Sequence, residues 1–272
     1  MHTTENDGRF SHAVAARYQE LLVPLIFAPY AADLVDRLTP LQPASVLELA
    51  AGTGVVTRAL AAQLPREVPL VATDLNEAML AVAQAQGAAR PVVWRQADAM
   101  ALPFDDASFD AVVCQFGAMF FPDKAHAFAE ARRVLRPGGT LLFNVWDRIE
   151  TNDFARVVSD VLAELFPEDP PSFMASVPHG YFSAEAIARD LALAGFVESP
   201  IIETVTATSH ADTPHLAALA YCHGTPMRGE IEARSKVGLE DATAVATAAL
   251  AARFGDGPIA GRIQALVAQV AR

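Results

Sequence analysis

The chain has little from which to build a disulfide scaffold, a membrane span or a surface that follows phosphates. Its 272 residues include two cysteines, too few for a disulfide framework and in keeping with a reducing compartment. Cys114 falls on an expected core strand and Cys222 in the C-terminal part, so both read as buried thiols. The longest apolar tract near the start, 21–32, is interrupted by Pro24 and Pro29 and is shorter than the roughly 20 residues that cross a bilayer. Met1 to Phe10 is polar and acidic with no apolar h-region, so no secretory signal is expected and the expected location is the cytoplasm. Positive charge is scarce: 20 Lys and Arg against 32 Asp and Glu give a net charge of -12. With no long basic stripe, a nucleic-acid partner is disfavoured. Internal repeats, low-complexity runs and heptads are missing, and Gly255-Asp256-Gly257-Pro258 reads as a turn rather than a linker. What the chain does have is apolar mass, 52% hydrophobic against 19% charged, enough for a large core in one domain with additions.

The apolar mass is ordered. Ser45 to Leu49 is a short β-branched and leucine run after Pro43, as expected of a buried parallel strand. It runs into Ala50-Ala51-Gly52-Thr53-Gly54, after which Val55, Val56, Ala59, Leu60 and Leu64 recur at helical spacing up to Pro65. A glycine turn between a strand's carboxyl end and a helix's amino end admits close approach by a ligand, and the free N–H groups of the helix favour negative charge there. Val68 to Thr73 is a second strand ending at Asp74, about 20 residues past the glycines, where an acid can meet a ribose hydroxyl pair. Asp74 also reads as a helix N-cap with Glu77 three residues on. Pro91 to Arg95 is a third strand followed by Asp98 and Ala99, which read either as an acceptor for an adenine amino group or as a solvated turn. Phe109 to Phe121 is a fourth strand that runs into aromatic residues, among them Phe116 and Phe120, expected to wall a pocket. The order points to a nucleotide-like ligand.

Taken together, residues 45–146 resemble the class I S-adenosylmethionine-dependent methyltransferases, especially the small-molecule branch that includes the ubiquinone and menaquinone biosynthesis C-methyltransferases. The resemblance is most specific at Arg133-Val134-Leu135-Arg136-Pro137-Gly138-Gly139. It implies a cofactor site in which Glu48, Ala50, Gly52, Thr53 and Gly54 hold the methionine end. Asp74, with Leu75 and Met79, would hold the ribose, Asp98 and Ala99 the adenine, and Gln115 and Phe116 the fourth-strand side. One departure is Ala50, where the fullest form of the motif has a glycine. The implied cofactor is S-adenosyl-L-methionine, with S-adenosyl-L-homocysteine as product, and no metal is demanded. The Asn/Asp-Pro-Pro-Tyr tetrad of DNA amino-group methyltransferases is replaced by Gln115-Phe116-Gly117-Ala118. The implied fold is α/β: a three-layer αβα Rossmann-like methyltransferase fold with a seven-stranded, mostly parallel sheet, an antiparallel last strand and helical cap additions.

The expected division of the single domain 1–272 is an N-terminal helical lid (1–40), a cofactor-binding core (41–146), a cap insertion (147–182) and the C-terminal part of the sheet with inserted helices (183–272). Val14 to Leu38 reads as two helical pieces joined around Pro24 to Pro29. The resemblance places such a helix over the cofactor, which makes Tyr18 and Phe27 lid candidates, although packing on the sheet serves any single aromatic equally. Thr140 to Trp146 is the expected fifth strand, with Trp146 a pocket candidate. The insertion after it carries a helix from about Asn152 to Phe166 and a proline-shaped loop with Phe173, His179 and Tyr181. Because it follows a strand's carboxyl end, these three are substrate-pocket candidates. His179 and Tyr18 are candidate catalytic residues, His179 as a general base with a near-neutral pKa, against the alternative of a surface histidine. Ser183 to Ala194 is a helix closed by Gly195, Phe196 to Thr208 a strand, and Thr213 to Phe254 helical with a break at Tyr221 to Pro226 that puts His223 in a loop facing the pocket. For 261–272 local propensity slightly favours helix, whereas the resemblance favours the antiparallel closing strand, and the strand is taken.

The expected activity is methylation of a small, largely apolar organic molecule at O, C or N, by a soluble protein that forms a homodimer or works alone. Two alternatives stand beside it. An NAD(P)-binding Rossmann oxidoreductase would use the same turn and Asp74 but has no role for Asp98 or the Arg-Pro-Gly-Gly segment. A non-catalytic S-adenosylmethionine-binding regulatory protein would keep the site without turnover.

Overall fold

The structure, a computed structural model, describes residues 12–234 and 237–272. The polar start at Met1 to Phe10 lies outside them. Seven strands form one sheet in the order β3-β2-β1-β4-β5-β7-β6: β1 Val46–Leu49, β2 Leu70–Asp74, β3 Val93–Gln96, β4 Phe109–Gln115, β5 Leu135–Trp146, β6 Ile201–Ala211 and β7 Ile259–Ala271. Strands β1 to β5 pair in parallel, and β7 runs antiparallel to β5 with Trp146 opposite Ala265. The terminal segment is thus the closing strand. Helices flank the sheet, giving the mostly parallel, Rossmann-like architecture that the motifs imply.

The chain divides into two compact units. The sheet unit comprises Ala28–Trp146, Tyr181–Val205 and Ala265–Arg272. Side-chain alternation along its strands puts Val46, Val113 and Leu142 on one face, where Leu34, Val35 and Leu38 of helix Ala28–Leu38 and Val56 and Leu60 of helix Val55–Gln63 bury them. Phe143 faces the other way and meets Phe128 of helix Lys124–Val134, with ring centroids 4.9 Å apart. Full burial of each such side chain contributes about 1.5–3 kcal/mol.

Three features of this unit differ from the sequence expectation. The second βα turn is capped by Asn76, whose side chain accepts from Met79 N at 3.0 Å; Asp74 lies just ahead of that position and instead accepts the Asn76 N–H. The Arg-Pro-Gly-Gly segment is part of β5. Phe109 pairs with Leu135 but Ala111 with Thr140, so the intervening residues bulge, with Gly138 at φ +81°. Arg136 there donates to Ser45 Oγ at 3.0 Å and to Asp110 Oδ2 at 2.8 Å, tying the first residues of β1, β4 and β5 together. Strand β6 begins at Ile201 rather than Phe196, because Pro200 stands just before it and lacks the N–H that a ladder uses.

Among the described residues, the helical unit comprises those up to Phe27 with those of Asp147–Gly180 and Thr206–Gln264. Its first helix, His12–Arg17, continues without interruption into a wide-turned segment, Tyr18–Phe27, that contains Pro24. Proline lacks an N–H and its ring strikes the carbonyl four residues back in an α-helix; the wider turn accommodates both. Helix Pro214–Gly224 packs on this segment closely enough that a Cβ at Gly224 would stand 3.1 Å from Leu22 Cδ1. Helix Asp153–Leu165 agrees with the expected 152–166, and its Phe154 meets Phe254 of helix Leu239–Phe254 edge-on at 5.1 Å. Both cysteines, one in each unit, are buried, and burial pushes their thiols up to about 12 for Cys114 and about 11 for Cys222.

Candidate functional site

In the sheet order, β1 leads outward through β2 to β3 on one side, and β4 leads to β5 on the other. The direction reverses between β1 and β4, and the crevice at the carboxyl ends of two such strands is where open α/β sheets bind ligands. Both strands end there in a left-handed backbone corner: Ala50 has φ +51° and Phe116 φ +50°. Left-handed conformation costs an L-residue about 1–2 kcal/mol, and strain of this kind concentrates at functional sites.

After β1 the chain continues through Gly52 at φ +56° and Gly54 at φ +81°. Gly54 is also closely covered, since a Cβ would stand 2.9 Å from Trp94 Cη2. Ala51 N donates to Thr73 O at 2.8 Å and Gly52 N to Asp74 Oδ2 at 2.7 Å. Asp74 therefore anchors the turn from the end of β2. Burial pushes its carboxyl up, against the N–H groups of Asn76, Gly52 and Leu75 that stabilise its charge. Helix Val55–Gln63 starts at Gly54 with no side-chain cap, leaving its first N–H groups to a ligand. Beside them Thr53 Oγ1 is buried with no hydrogen-bond partner among the described residues.

Alternation puts Glu48 on the same face as Val46, beneath helix Val55–Gln63, and Thr57 Oγ1 donates to its Oε2 at 2.5 Å. Burial pushes this carboxyl up to about 8; the Thr57 bond opposes the shift, Asp74 adds to it and Arg58 opposes it. A raised carboxyl stabilises the fold fully below its ordinary value, and that contribution is lost as pH rises through about 8. Melts of the unliganded protein between about pH 5 and about pH 9 are expected to fall with pH, and Glu48→Gln to flatten that fall. Identical slopes for the two proteins would contradict this.

Asp98 follows β3, half-buried, and turns the chain by accepting from Met100 N through Oδ1 at 2.9 Å. Ala99 lies within this turn, closed by Ala101 N on Asp98 O at 3.0 Å. The loop beyond is held by residues whose part no sequence argument identified. Arg133 donates to Leu102 O at 2.9 Å, Phe104 O at 2.8 Å, Asp106 Oδ1 at 2.8 Å and Glu130 Oε1 at 2.7 Å, and Glu130 Oε2 accepts Leu102 N at 2.8 Å. The arginine of the Arg-Val-Leu-Arg-Pro-Gly-Gly motif thus clamps the Asp98 loop, and the signal was the motif's first residue. Replacing Arg133 with Leu is expected to cost about 2 kcal/mol, or about 4–8 °C in Tm, and to open 98–106 to proteolysis; an unchanged melt would contradict the clamp.

After β4, Phe116 stacks on Trp146 at 3.9 Å and 10°, and Tyr30 meets both rings edge-on at 5.3 Å. All three are buried. The next residue, Gly117, touches the first turn: a Cβ there would be 2.4 Å from Ala50 Cβ. The methyl of Ala50, where the fullest motif has glycine, is thus accommodated by a glycine across the crevice. Gln115 and Phe120 flank this corner, both half-buried. Leu75 and Met79 stand on the turn and helix after β2. Tyr181 also belongs to the sheet unit, where its hydroxyl donates to Asp190 at 2.9 Å and Lys124 Nζ lies 4.9 Å from its ring centroid. It is tied to helix Ala184–Leu193 rather than presented by a proline loop.

The remaining candidates belong to the helical unit. Tyr18 and Phe27 stack on each other at 4.8 Å. Phe173 lines a cleft of about 700 Å³ with Val14, Val177, Thr225 and Pro226. His179 is neither a surface nor a near-neutral histidine: it is buried, its Nδ1 meets Asp147 O at 2.7 Å, and burial lowers its pKa to about 4. His223 and Tyr221 lie within helix Pro214–Gly224 rather than in a break, the helix ending just before Thr225 and Pro226. His223 Nε2 bonds Thr243 Oγ1 at 3.0 Å, and burial lowers its pKa. Among the described residues, no cluster of His, Cys, Asp and Glu has the makings of a metal site and no helix is long and apolar enough to cross a membrane.

Residues 47–143 match the family model described as "Methyltransferase domain". The chain is 37% identical over 137 residues to the ubiquinone/menaquinone biosynthesis C-methyltransferase of Hahella chejuensis, covering 48% of this chain and 55% of that protein. It is 39% identical over 137 residues to the demethylmenaquinone methyltransferase of Thermus thermophilus, covering 47% and 60%. These matches thus span between half and two thirds of the relatives' lengths. In fold it is similar to a phosphoethanolamine N-methyltransferase of Haemonchus contortus solved with S-adenosylhomocysteine, with TM-score 0.57, 19% identity and coverage of 94% of this chain and 57% of that one. Residues 47–143 are thus similar in sequence to a methyltransferase domain and to the ubiquinone and menaquinone C-methyltransferases, and the chain is similar in fold to a solved methyltransferase.

Proposed function

We propose that the chain is an S-adenosylmethionine-dependent methyltransferase acting on a small, largely apolar acceptor of the quinone type. The observation that carries this is the crevice between β1 and β4, where Asp74 holds the glycine turn, Glu48 bonds the uncapped helix that follows it, and Asp98 follows the next strand but one, β3. The fit is supported by Thr53 Oγ1, a buried hydroxyl with no hydrogen-bond partner among the described residues, and by the left-handed, half-buried Ala50 and Gly52, which leave backbone within reach of a ligand.

In this reading Asp74, which already accepts from the Gly52, Leu75 and Asn76 N–H groups, takes the ribose hydroxyls with its remaining acceptor capacity. Asp98 and Ala99 take the adenine edge, and Leu75 and Met79 line the nucleoside. Glu48, protonated at neutral pH in the unliganded protein, ionises against the donor's ammonium at the amino-acid end, and Gln115 and Phe116 close the other wall. When bound, the cofactor supplies a methyl group already activated on sulfur, so the protein's task is to hold the reacting atoms in line and keep water away. Orientation of this kind is worth roughly 7–11 kcal/mol. The buried aromatic corner of Phe116, Trp146 and Tyr30 suits a flat apolar acceptor. No side chain is assigned as base; His179, neutral and hydrogen-bonded to a carbonyl, is a poor one. The charge of -12 fits a small-molecule partner better than nucleic acid, and we take residues 1–272 as one cytoplasmic methyltransferase domain.

The test is transfer of label from methyl-labelled S-adenosylmethionine to demethylmenaquinone, with one S-adenosylhomocysteine formed per product. Binding of the donor without transfer would remove the acceptor class; no binding of the donor would remove the whole reading.

A further inference from the structure

Asn144 is a polar residue in an apolar place. It lies on β5 opposite Gln115 of β4, is 0% exposed, and has buried Phe143 and Val145 on either side. Its Oδ1 accepts the Phe116 N–H at 2.9 Å, and its main-chain oxygen accepts the same N–H at 3.1 Å. Its Nδ2 is buried with no hydrogen-bond partner among the described residues. A leucine would bury equally well and leave no donor unsatisfied, so the amide is explained by what its oxygen holds. That is the left-handed corner at Phe116, φ +50°, an arrangement a bulky residue keeps only when its surroundings impose it. On one side of the corner the ring stacks on Trp146. On the other, Gly117 closes against Ala50 of the glycine turn.

We propose that Asn144 is a positioning residue: by accepting the Phe116 N–H it fixes the corner after β4, and through Gly117 and Ala50 it sets the shape of the turn that receives the methionine end of the donor. This rests on the reading of the crevice as an S-adenosylmethionine site and adds to it a residue that touches neither donor nor acceptor.

The experiment is calorimetric titration with S-adenosylhomocysteine, which needs no acceptor, alongside near-ultraviolet circular dichroism of the Phe116–Trp146 stack. Asn144→Leu is expected to weaken binding about 10- to 30-fold and to reduce the aromatic signal. Asn144→Asp, which keeps Oδ1, is expected to stay within about threefold. Glycine adopts the corner unaided, so in a Phe116→Gly background Asn144→Leu is expected to add no more than about twofold. Should Asn144→Leu alone fail to fold, Asn144→Ala, which removes Oδ1 without adding bulk, is expected to show the same weakening. Unchanged affinity in whichever of Asn144→Leu and Asn144→Ala folds, or additive effects in the cycle, would each overturn the proposal. If the unmutated protein bound no S-adenosylhomocysteine, the underlying site reading would fall first, whatever Asn144 does.

Discussion

Asp74→Ala is expected to weaken S-adenosylmethionine binding by at least about 100-fold, the largest effect of any single change in the crevice. Two losses combine. A carboxylate accepting from two ribose hydroxyls makes charge-assisted bonds of about 1.5–3 kcal/mol each. The same carboxylate also holds the Gly52 N–H at 2.7 Å and the Asn76 N–H at 2.8 Å, so alanine releases the glycine turn and the residue that caps the next helix. Asp74→Asn keeps the shape and one acceptor while giving up the charge, and its NH2 then meets one of the two backbone N–H groups. We expect it to lose about tenfold in affinity and to melt lower than the unmutated protein. Titration of the three proteins with donor checks this; equal affinity in Asp74→Ala and the unmutated protein would remove Asp74 from the site.

Gly117→Ala is expected to destabilise the protein by about 3 kcal/mol, at the upper end of the cost of overpacking. The added methyl would stand 2.4 Å from Ala50 Cβ and 2.8 Å from Cys114 Sγ, the first in the left-handed corner after β1 and the second buried near the end of β4. The partner change is informative. Ala50→Gly removes one of the two obstructions and also relieves a left-handed alanine at φ +51°, worth about 1–2 kcal/mol, against the entropy that glycine loses on folding. Ala50→Gly alone is therefore expected to be close to neutral, and in the double variant to restore at least half of what Gly117→Ala loses. Thermal melts in a double-mutant cycle measure the coupling. Strictly additive losses would show that the two corners do not share the space the structure gives them.

How much of this was legible depends on the range over which each feature is determined. The strands from Val46, Leu70, Val93 and Phe109 were readable because a buried parallel strand is a short apolar run bounded by breakers. The glycine turn, Asp74 and Asp98 were readable because they lie at fixed offsets from those strands. The closing strand needed the family resemblance, since propensity along 261–272 leaned toward helix. Asn144 was hidden inside an apolar segment, though a lone amide in Leu-Phe-Asn-Val-Trp was itself a signal. Arg133 could be matched to a motif, but its work is done on carbonyls of Leu102 and Phe104, some 30 residues away in sequence, which spacing does not reveal. His179 and His223 were misplaced for a related reason. Burial of a histidine is decided by whichever element lies over it, and here that is Asp147 for one and Thr243 for the other.

The central claim is that the crevice between β1 and β4 takes S-adenosylmethionine. Isothermal titration of the purified chain with S-adenosylmethionine, S-adenosylhomocysteine and NADH tests it most directly. The account predicts saturable one-to-one binding of both forms of the methyl donor and no heat with NADH. Saturable binding of NADH with neither form of the donor bound would contradict it.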